Sequence, residues 1–164
     1  MQASDKYEKF VADLAALLLR DRRASEVSYG RRNYLPGAAV PHQIDVSFVD
    51  EVTDPPKIVL IECKCLKRTV TLAHLKVLKA TVDDIATGPV LGRSVHGLIV
   101  SLKGLQPAAV DYAGYYGIQA QCVADGPEYD FSYDELRLVA KPGVSLILLC
   151  HSADGFNRAA LCFR

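Results

Sequence analysis

Apolar residues recur along this chain at two kinds of spacing, one typical of helices and one typical of strands. Residues 5–20 carry apolar side chains three or four positions apart, which predicts a helix with one buried face. A second such stretch covers residues 71–86, with Thr69 or Thr71 available as its N-cap. A third covers residues 107–116 and opens with a proline, as helices often do. The pattern predicts three helices.

Shorter apolar segments between these helices predict strands at residues 26–30, 40–49, 96–102 and 118–123. A further strand begins at Ile58 and is apolar on both faces, as expected of a central strand covered on both sides. Residues 50–56 form a predicted turn, because Asp54 is followed by two prolines. Strands that alternate with helices are typical of an α/β sheet with at least some parallel pairing.

Residues 124–164 follow a different pattern, which predicts short strands or strand–helix pieces at 131–141, 144–151 and 159–163, and we expect these to be added at an edge of the sheet. A length of 164 residues fits one hydrophobic core. We therefore predict a single domain over residues 1–164, with its core at about 5–123 and a C-terminal addition at 124–164.

Composition indicates a globular protein, since 50% of the residues are hydrophobic and only 23% are charged. No apolar run approaches the roughly 20 residues that cross a bilayer, and the polar first residues show no cleavage site for a signal peptide. We therefore expect a cytoplasmic protein without a membrane partner.

The cysteines predict neither disulfides nor zinc. Their number, five, is odd, and Cys63 and Cys65 lie too close together in one strand to bridge each other easily. Zinc would need a second pair of ligands at the right spacing, whereas Cys122, Cys150 and Cys162 each stand alone. Buried structural thiols are the expected role.

Net charge counts against a protein that binds nucleic acid by charge alone, because 19 basic residues balance 19 acidic ones. The two signs are nevertheless separated along the chain, with acidic residues concentrated at 125–135. The basic residues concentrate earlier, at Arg20, Arg22, Arg23, Arg31 and Arg32 and then at Lys64, Lys67, Arg68, Lys76 and Lys79.

The candidate chemistry lies at the end of the central strand, in the sequence Glu62-Cys63-Lys64-Cys65. Because side chains alternate along a strand, Glu62 and Lys64 lie on the same face of it. Burying such charges costs several kcal/mol unless they are paired or bind a metal. If the strands before and after the turn at 50–56 form a hairpin, Asp45 becomes an approximate neighbour of Glu62, because the midpoint of the two positions, 53.5, lies inside that turn.

Opposed residues of such a hairpin have Cβ atoms about 5 Å apart, so the carboxylates of Asp45 and Glu62 would converge. A divalent cation relieves the repulsion, and hard oxygen ligands suit Mg²⁺ or Mn²⁺. Lys64 would then hold a nucleophilic water or stabilise charge on a phosphate. The alternative is an ordinary Glu62–Lys64 salt bridge beside a solvated Asp45. The joint pattern at hairpin spacing favours the metal site.

Four segments resemble the PD-(D/E)XK, or restriction-endonuclease-like, superfamily, nearest to its Mrr-like branch: Gln43-Ile44-Asp45-Val46, Ile61-Glu62-Cys63-Lys64, residues 96–101 and residues 108–118. The resemblance runs from about Tyr7 to Val123. It implies a mixed central β-sheet flanked by helices, here with extra C-terminal strands. The chain departs from the family pattern in having no proline immediately before Asp45, although Pro41 lies near.

The resemblance also implies a Mg²⁺- or Mn²⁺-dependent endonuclease that hydrolyses DNA phosphodiesters. Asp45, Glu62 and the backbone carbonyl of Cys63 would bind the metal, and Lys64 would assist the attacking water. Glu8, on the first helix, would complete the catalytic set, although a solvated surface glutamate fits the same helical position.

Residues near this site are candidates for nucleic-acid contacts. Lys67 and Arg68 directly follow the strand of Glu62 and suit phosphate binding, with a solvated loop as the alternative. His42 is a candidate by its proximity to Asp45, and Lys76 by its place in the basic segment.

DNA is therefore the expected partner, and we expect a homodimer, since one small neutral domain has little surface for gripping a duplex. Membership of a larger defence or repair complex is compatible with this interpretation. Two other functions stay open. One is a module of the same fold that binds DNA or protein without cutting, and the other is a small-molecule enzyme with Cys63 or Cys65 as nucleophile, for which no partner base is evident.

Overall fold

The structure is a computed structural model that describes residues 2–20, 22–90 and 92–123 with their side chains, and the backbone of four further strands between residues 129 and 161. The elements up to residue 123 are α1 (Ala3–Leu18), β1 (Ser28–Tyr29), β2 (Tyr34–Pro36), β3 (Pro41–Gln43), β4 (Val46–Asp50), β5 (Lys57–Lys64), α2 (Leu72–Ala86), β6 (Ser94–Ser101), α3 (Pro107–Tyr116) and β7 (Gln119–Cys122). The further strands are β8 (Tyr129–Tyr133), β9 (Leu136–Ala140), β10 (Leu146–Ser152) and β11 (Gly155–Leu161).

A five-stranded mixed sheet in the order β1-β4-β5-β6-β7 forms the centre of the fold. β4 pairs antiparallel with β1 and β5, whereas β5, β6 and β7 are parallel. This confirms the predicted α/β sheet with parallel pairing. Because β4 runs opposite to β5, its amino end lies at the edge where the parallel strands end. We call this edge the carboxyl edge of the sheet.

Helices cover both faces of the sheet, which explains why β5 is apolar on both sides. On one face Tyr7 and Leu14 of α1 pack with Ile61 in one buried cluster. On the other, Leu75 of α2 packs with Ile99 in a second cluster. Each fully buried aliphatic side chain of this kind contributes about 1.5–3 kcal/mol relative to exposure. The sheet is therefore a fixed frame between two helical layers.

The predicted helices are confirmed, with bounds that follow from local signals. α3 begins at Pro107, as predicted, and ends before Gly117, whose φ of 65° is the left-handed conformation that glycine adopts without strain. α2 has Thr71 as its N-cap residue, and the Thr71 N–H donates to His74 Nδ1 at 3.1 Å. No helix in the described part of the chain is long and apolar enough to cross a bilayer.

The single strand predicted at residues 40–49 is wrong, because the chain forms two strands there. β3 pairs with β2 in a separate hairpin, whereas β4 joins the central sheet. The break falls at Ile44. Its N–H donates to the backbone carbonyl of Asn33 at 2.9 Å, and its carbonyl accepts a hydrogen bond from the side-chain amide of Asn33, also at 2.9 Å. Asn33 therefore replaces the ladder partner that a continuous strand would need.

The C-terminal strands pair with one another, not with an edge of the central sheet as predicted. Their order is β11-β10-β9-β8, and every pair is antiparallel. Each strand pairs with its neighbour in sequence, an arrangement whose short connections cost little loop-closure entropy. The parts of the predicted strands at 134–135, 141, 144–145 and 162–163 lie outside the described residues.

Candidate functional site

Two carboxylates face each other at the carboxyl edge of the sheet. β4 and β5 pair with Val46 opposite Ile61, and one further step of the same register places Asp45 opposite Glu62. The Cys63 N–H donates to Asp45 Oδ2 at 2.8 Å. The hairpin geometry predicted from the turn is therefore confirmed, and the Asp45 carboxylate is held against the end of β5.

The surroundings of Asp45 disfavour its negative charge. Burial raises its pKa, and the negative charge of Glu62 raises it further, to about 6, although the Cys63 N–H and the positive charge of Lys64 act in the opposite direction. A cation bound beside Asp45 and Glu62 would offset both destabilising effects.

Glu62 and Lys64 project together from the end of β5, two residues apart. Lys64 Nζ donates to Glu62 Oε1. The Lys64 side chain is 22% exposed, and the Glu62 side chain is 27% exposed. The salt bridge of the simpler interpretation is thus present, but it lies beside Asp45 and not apart from it. Lys64 Nζ has three donors, so this bond leaves it able to donate to a further acceptor.

Glu8 belongs to the same group of acids. It follows Tyr7, whose hydroxyl donates to the Val123 carbonyl at 2.7 Å and so ties the first turns of α1 to the carboxyl edge. Burial raises the pKa of Glu8, and the negative charges of Asp45, Asp5 and Glu62 act in the same direction. The structure therefore brings Glu8 within electrostatic reach of Asp45 and Glu62.

Cys63 contributes its backbone and not its thiol. The side chain packs against the cluster under α1, and burial raises the pKa of the thiol, helped by the charges of Asp45 and Glu8. A protonated thiol is a poor nucleophile, which counts against Cys63 as the nucleophile of a cysteine enzyme. The N–H and C=O of one strand residue point the same way, so the Cys63 carbonyl faces the Asp45 side of β5.

These groups fit one kind of metal site. In the part of the chain with described side chains, no group of three or more His, Cys, Asp or Glu residues could hold a metal ion by itself. Magnesium commonly takes one or two carboxylates and fills its remaining positions with waters and substrate phosphate. Asp45, Glu62 and the Cys63 carbonyl match that donor set, and an all-protein zinc cage is not present among these residues.

The predicted nucleic-acid contacts are only partly brought together. Lys67 and Arg68 are exposed in the loop after β5, at the carboxyl edge, and Lys76 is exposed on the second turn of α2. His42 lies elsewhere, since its Nε2 is 2.7 Å from Asp84 Oδ2 near the end of α2. The role of His42 stays a prediction, and its imidazole already has a partner.

Sequence reasoning missed the position of Arg31 beside the acids. Arg31 Nη2 lies 3.6 Å from Asp5 Oδ2, and its positive charge partly opposes the rise in the pKa of Glu8 that burial and the neighbouring carboxylates cause. The local sequence carries no signal for this, because the placement depends on a distant contact in which the Gly30 N–H donates to the Asp45 carbonyl at 3.0 Å.

Two solved structures share this architecture. The crystal structure of AF1548, a protein of unknown function, has a TM-score of 0.52 and 23% identity over 69% of this chain and 56% of its own. The crystal structure of a repair endonuclease from Pyrococcus abyssi has a TM-score of 0.52 and 17% identity over 77% of this chain and 49% of its own. The similarity therefore extends over only about half of each of those proteins.

At these identities the comparison defines the class of fold, an endonuclease-like mixed α/β sheet flanked by helices. This is consistent with the restriction-endonuclease-like fold that the sequence resemblance implied, whereas the Mrr-like branch stays a prediction. No family model matches the sequence, and the search of curated proteins gave no match.

Proposed function

We propose that this protein is a metal-dependent endonuclease that hydrolyses DNA phosphodiester bonds. The observation that carries the proposal is the register of β4 and β5, which sets Asp45 opposite Glu62 with Lys64 on the same strand. The fold shared with a repair endonuclease supports the same class of activity. Magnesium is the proposed cofactor, with manganese as a substitute, because the available donors are hard oxygens.

Each residue has a distinct role in this proposal. Asp45, Glu62 and the Cys63 carbonyl would hold the cation, which when bound supplies positive charge to the scissile phosphate and acidifies water. Lys64 donates a hydrogen bond that orients the attacking water or stabilises negative charge on the phosphate. Glu8 adds a third carboxylate whose raised pKa suits a group that exchanges a proton with that water.

Plasmid and single-stranded DNA, each incubated with magnesium or with EDTA, test the activity directly. We expect cleavage only with magnesium, and loss of cleavage in Asp45→Ala. Asp111→Ala, on the exposed surface of α3, is the matched control and should cut normally. Cleavage that persists in EDTA would contradict the proposal.

Titration calorimetry with manganese tests the metal site separately from cleavage. The wild-type protein and Asp111→Ala should each bind manganese at one site. Asp45→Ala should not, since Asp45 is a proposed ligand. Equal manganese binding by Asp45→Ala would remove this residue from the site.

A module that keeps the fold and binds DNA or protein without cutting is the second candidate. The observation in its favour is the ion pair between Lys64 and Glu62, which already neutralises one proposed ligand. The plasmid experiment separates the two functions, because such a module would shift the mobility of DNA without cleaving it in magnesium or manganese.

A further inference from the structure

The loops after β5 and β6 are joined into one unit at the carboxyl edge. Val70 and Leu105 form a parallel β-bridge, the Val70 N–H donates to the Gly104 carbonyl at 2.9 Å, and the Gln106 N–H donates to the Val70 carbonyl at 2.9 Å. Gly104 has a φ of 71°, a left-handed conformation that glycine permits at this turn. The two loops therefore hold fixed positions relative to each other.

This unit directly adjoins the candidate metal site. Lys64 is paired with Ser101 in the register of β5 and β6, and the Leu102 N–H donates to the Lys64 carbonyl at 3.3 Å. Lys103 lies in the loop after β6, two positions past Ser101, the partner of Lys64. Arg68 and Lys103 lie on the two loops that this bridge joins, each two positions before a bridge residue.

The side chains on this unit carry uncompensated positive charge. Lys67, Arg68 and Lys103 are all exposed. Two lysines on helices are by contrast neutralised within their own helix, Lys9 by Asp13 at 2.7 Å and Lys79 by Asp83 at 2.6 Å. Within the part of the chain whose side chains are described, none of the three cations on this unit forms such an ion pair. Their charge is available to an anionic ligand.

We propose that Lys103 binds a backbone phosphate of the DNA substrate, together with Lys67 and Arg68 from the adjoining loop. The inference rests on the proposed nuclease function and specifies how the substrate lies, along the carboxyl edge from the metal site across both loops. Such contacts position the strand without reading its sequence. Lys103 is thus a substrate-binding residue and has no part in the chemical step.

Salt dependence of binding distinguishes a phosphate contact from a structural role. Fluorescence anisotropy with a labelled duplex in EDTA measures binding by the full chain without metal-dependent cleavage. Each phosphate contact contributes about 0.9 to the slope of log K against log salt. Lys103→Ala should therefore flatten this slope by about 0.9 and weaken binding equally for unrelated sequences, whereas Lys103→Arg should restore it.

Arg20→Ala is the matched control, since Arg20 is exposed and lies two residues before Arg22, which bonds Asp50 at the opposite end of β4 from Asp45. It should leave the slope unchanged. In magnesium, Lys103→Ala should raise KM with little change in kcat, because the lost contact is the same in the ground state and the transition state.

The outcomes separate the two proposals. If the wild type binds DNA and Lys103→Ala has the same slope of log K against log salt as the wild type, the Lys103 assignment alone is overturned. If the wild type binds DNA but never cuts it, the proposed nuclease function is overturned. A salt slope that depends on Lys103 would in that case still support the phosphate site. A wild-type protein that fails to bind DNA would overturn both.

Discussion

Two aspartates mark the ends of β4, and their surroundings give them opposite roles. Asp50 is fully buried and bonded by Arg22 through Nε at 3.0 Å and Nη2 at 2.6 Å, so its charge is compensated. Breaking a buried pair of this kind typically costs 3–5 kcal/mol. Asp45 has instead another carboxylate opposite it and a raised pKa. Asp50 therefore stabilises the fold, whereas the surroundings of Asp45 disfavour its charge, as expected if Asp45 is the cation ligand that we propose.

Lys64→Ala separates a catalytic lysine from a structural one. If Lys64 acts on the water or phosphate, the variant should still bind metal and DNA but cleave at least ~100-fold more slowly, the loss typical of a preorganised electrostatic group. Cleavage rates and DNA affinity are to be measured on the same preparation, together with its melting temperature.

The control for this experiment is Lys79→Ala. Lys79 is 23% exposed and ion-paired like Lys64, which is 22% exposed, but it lies on α2 away from the acids. It should cut normally. A Lys64→Ala protein that melts earlier yet keeps full activity per folded molecule would assign Lys64 to structure and remove most of the case for a nuclease.

Asp45→Asn should stabilise the metal-free protein at neutral pH. The pKa of Asp45 is about 6 in the folded state and ordinarily 3.8. Between these values the folded state binds more protons than the unfolded state, so wild-type stability falls as pH rises through this window. Asparagine carries no charge at any pH, and its carbonyl can still accept the Cys63 N–H bond.

Thermal melting in EDTA from pH 4 to pH 7.5 measures this effect. Asp45→Asn should melt above the wild type near pH 7, and the difference should shrink towards pH 4. Asp111→Asn should show no such trend. Added manganese should raise the wild-type melting temperature and leave that of Asp45→Asn unchanged, because ligand binding to the folded state stabilises it. A pH-independent difference would contradict the electrostatic explanation.

At the scale of the elements, helices and central strands could be predicted because their signals are local. The apolar face of α1, the proline of α3 and the two-sided apolar run of β5 each lie within one segment. The opposition of Asp45 and Glu62 was also predictable, since the centre of a turn fixes the register of its hairpin.

The β2–β3 hairpin could not be predicted, because contacts distant in sequence hold it. Asp84 Oδ1 accepts the Ala39 N–H at 2.9 Å across 45 residues, and Asp84 Oδ2 lies against His42. Gly37 is required there, since a Cβ at this position would collide with the Asp84 carboxylate. The position of Lys103 beside the candidate site could not be predicted for the same reason, because it depends on the bridge between two loops.

Asp84→Ala should release the β2–β3 hairpin from α2. Hydrogen exchange should accelerate at residues 34–43, and the melting temperature should fall, because the bonds to the Ala39 N–H, the Val40 N–H and His42 are lost together. Asp83→Ala is the control, since the Asp83 side chain is 59% exposed and, in the described structure, its carboxylate bonds only Lys79 of the same helix.

His42→Ala should have the smaller effect on exchange, because the backbone bonds to Asp84 remain. A loss of DNA affinity in His42→Ala without faster exchange at residues 34–43 would support the predicted nucleic-acid role. Unchanged exchange in Asp84→Ala would show that other contacts hold the hairpin.

For the molecule as a whole, the balance of 19 basic and 19 acidic residues limits how strongly one copy can attract DNA. The fold determines where the charged side chains lie. Three exposed cations lie on the joined loops beside the acids of the candidate site. In our proposal, the local field at the carboxyl edge, and not the net charge, decides substrate binding. A single copy still presents few phosphate contacts.

We accordingly predict a homodimer. Two copies related by a twofold axis would double the number of cations facing a duplex and present two metal sites, one for each strand. Light scattering over a range of concentrations should give about twice the 17.9 kDa of one chain without DNA, and that mass plus the mass of the duplex when DNA is bound. A repeat with DNA in high salt is the control, because a dimer that exists only through bridging DNA should dissociate as its phosphate contacts are screened. A monomer at every concentration, with DNA present, would contradict the prediction and leave single-strand nicking as the activity that one copy can perform.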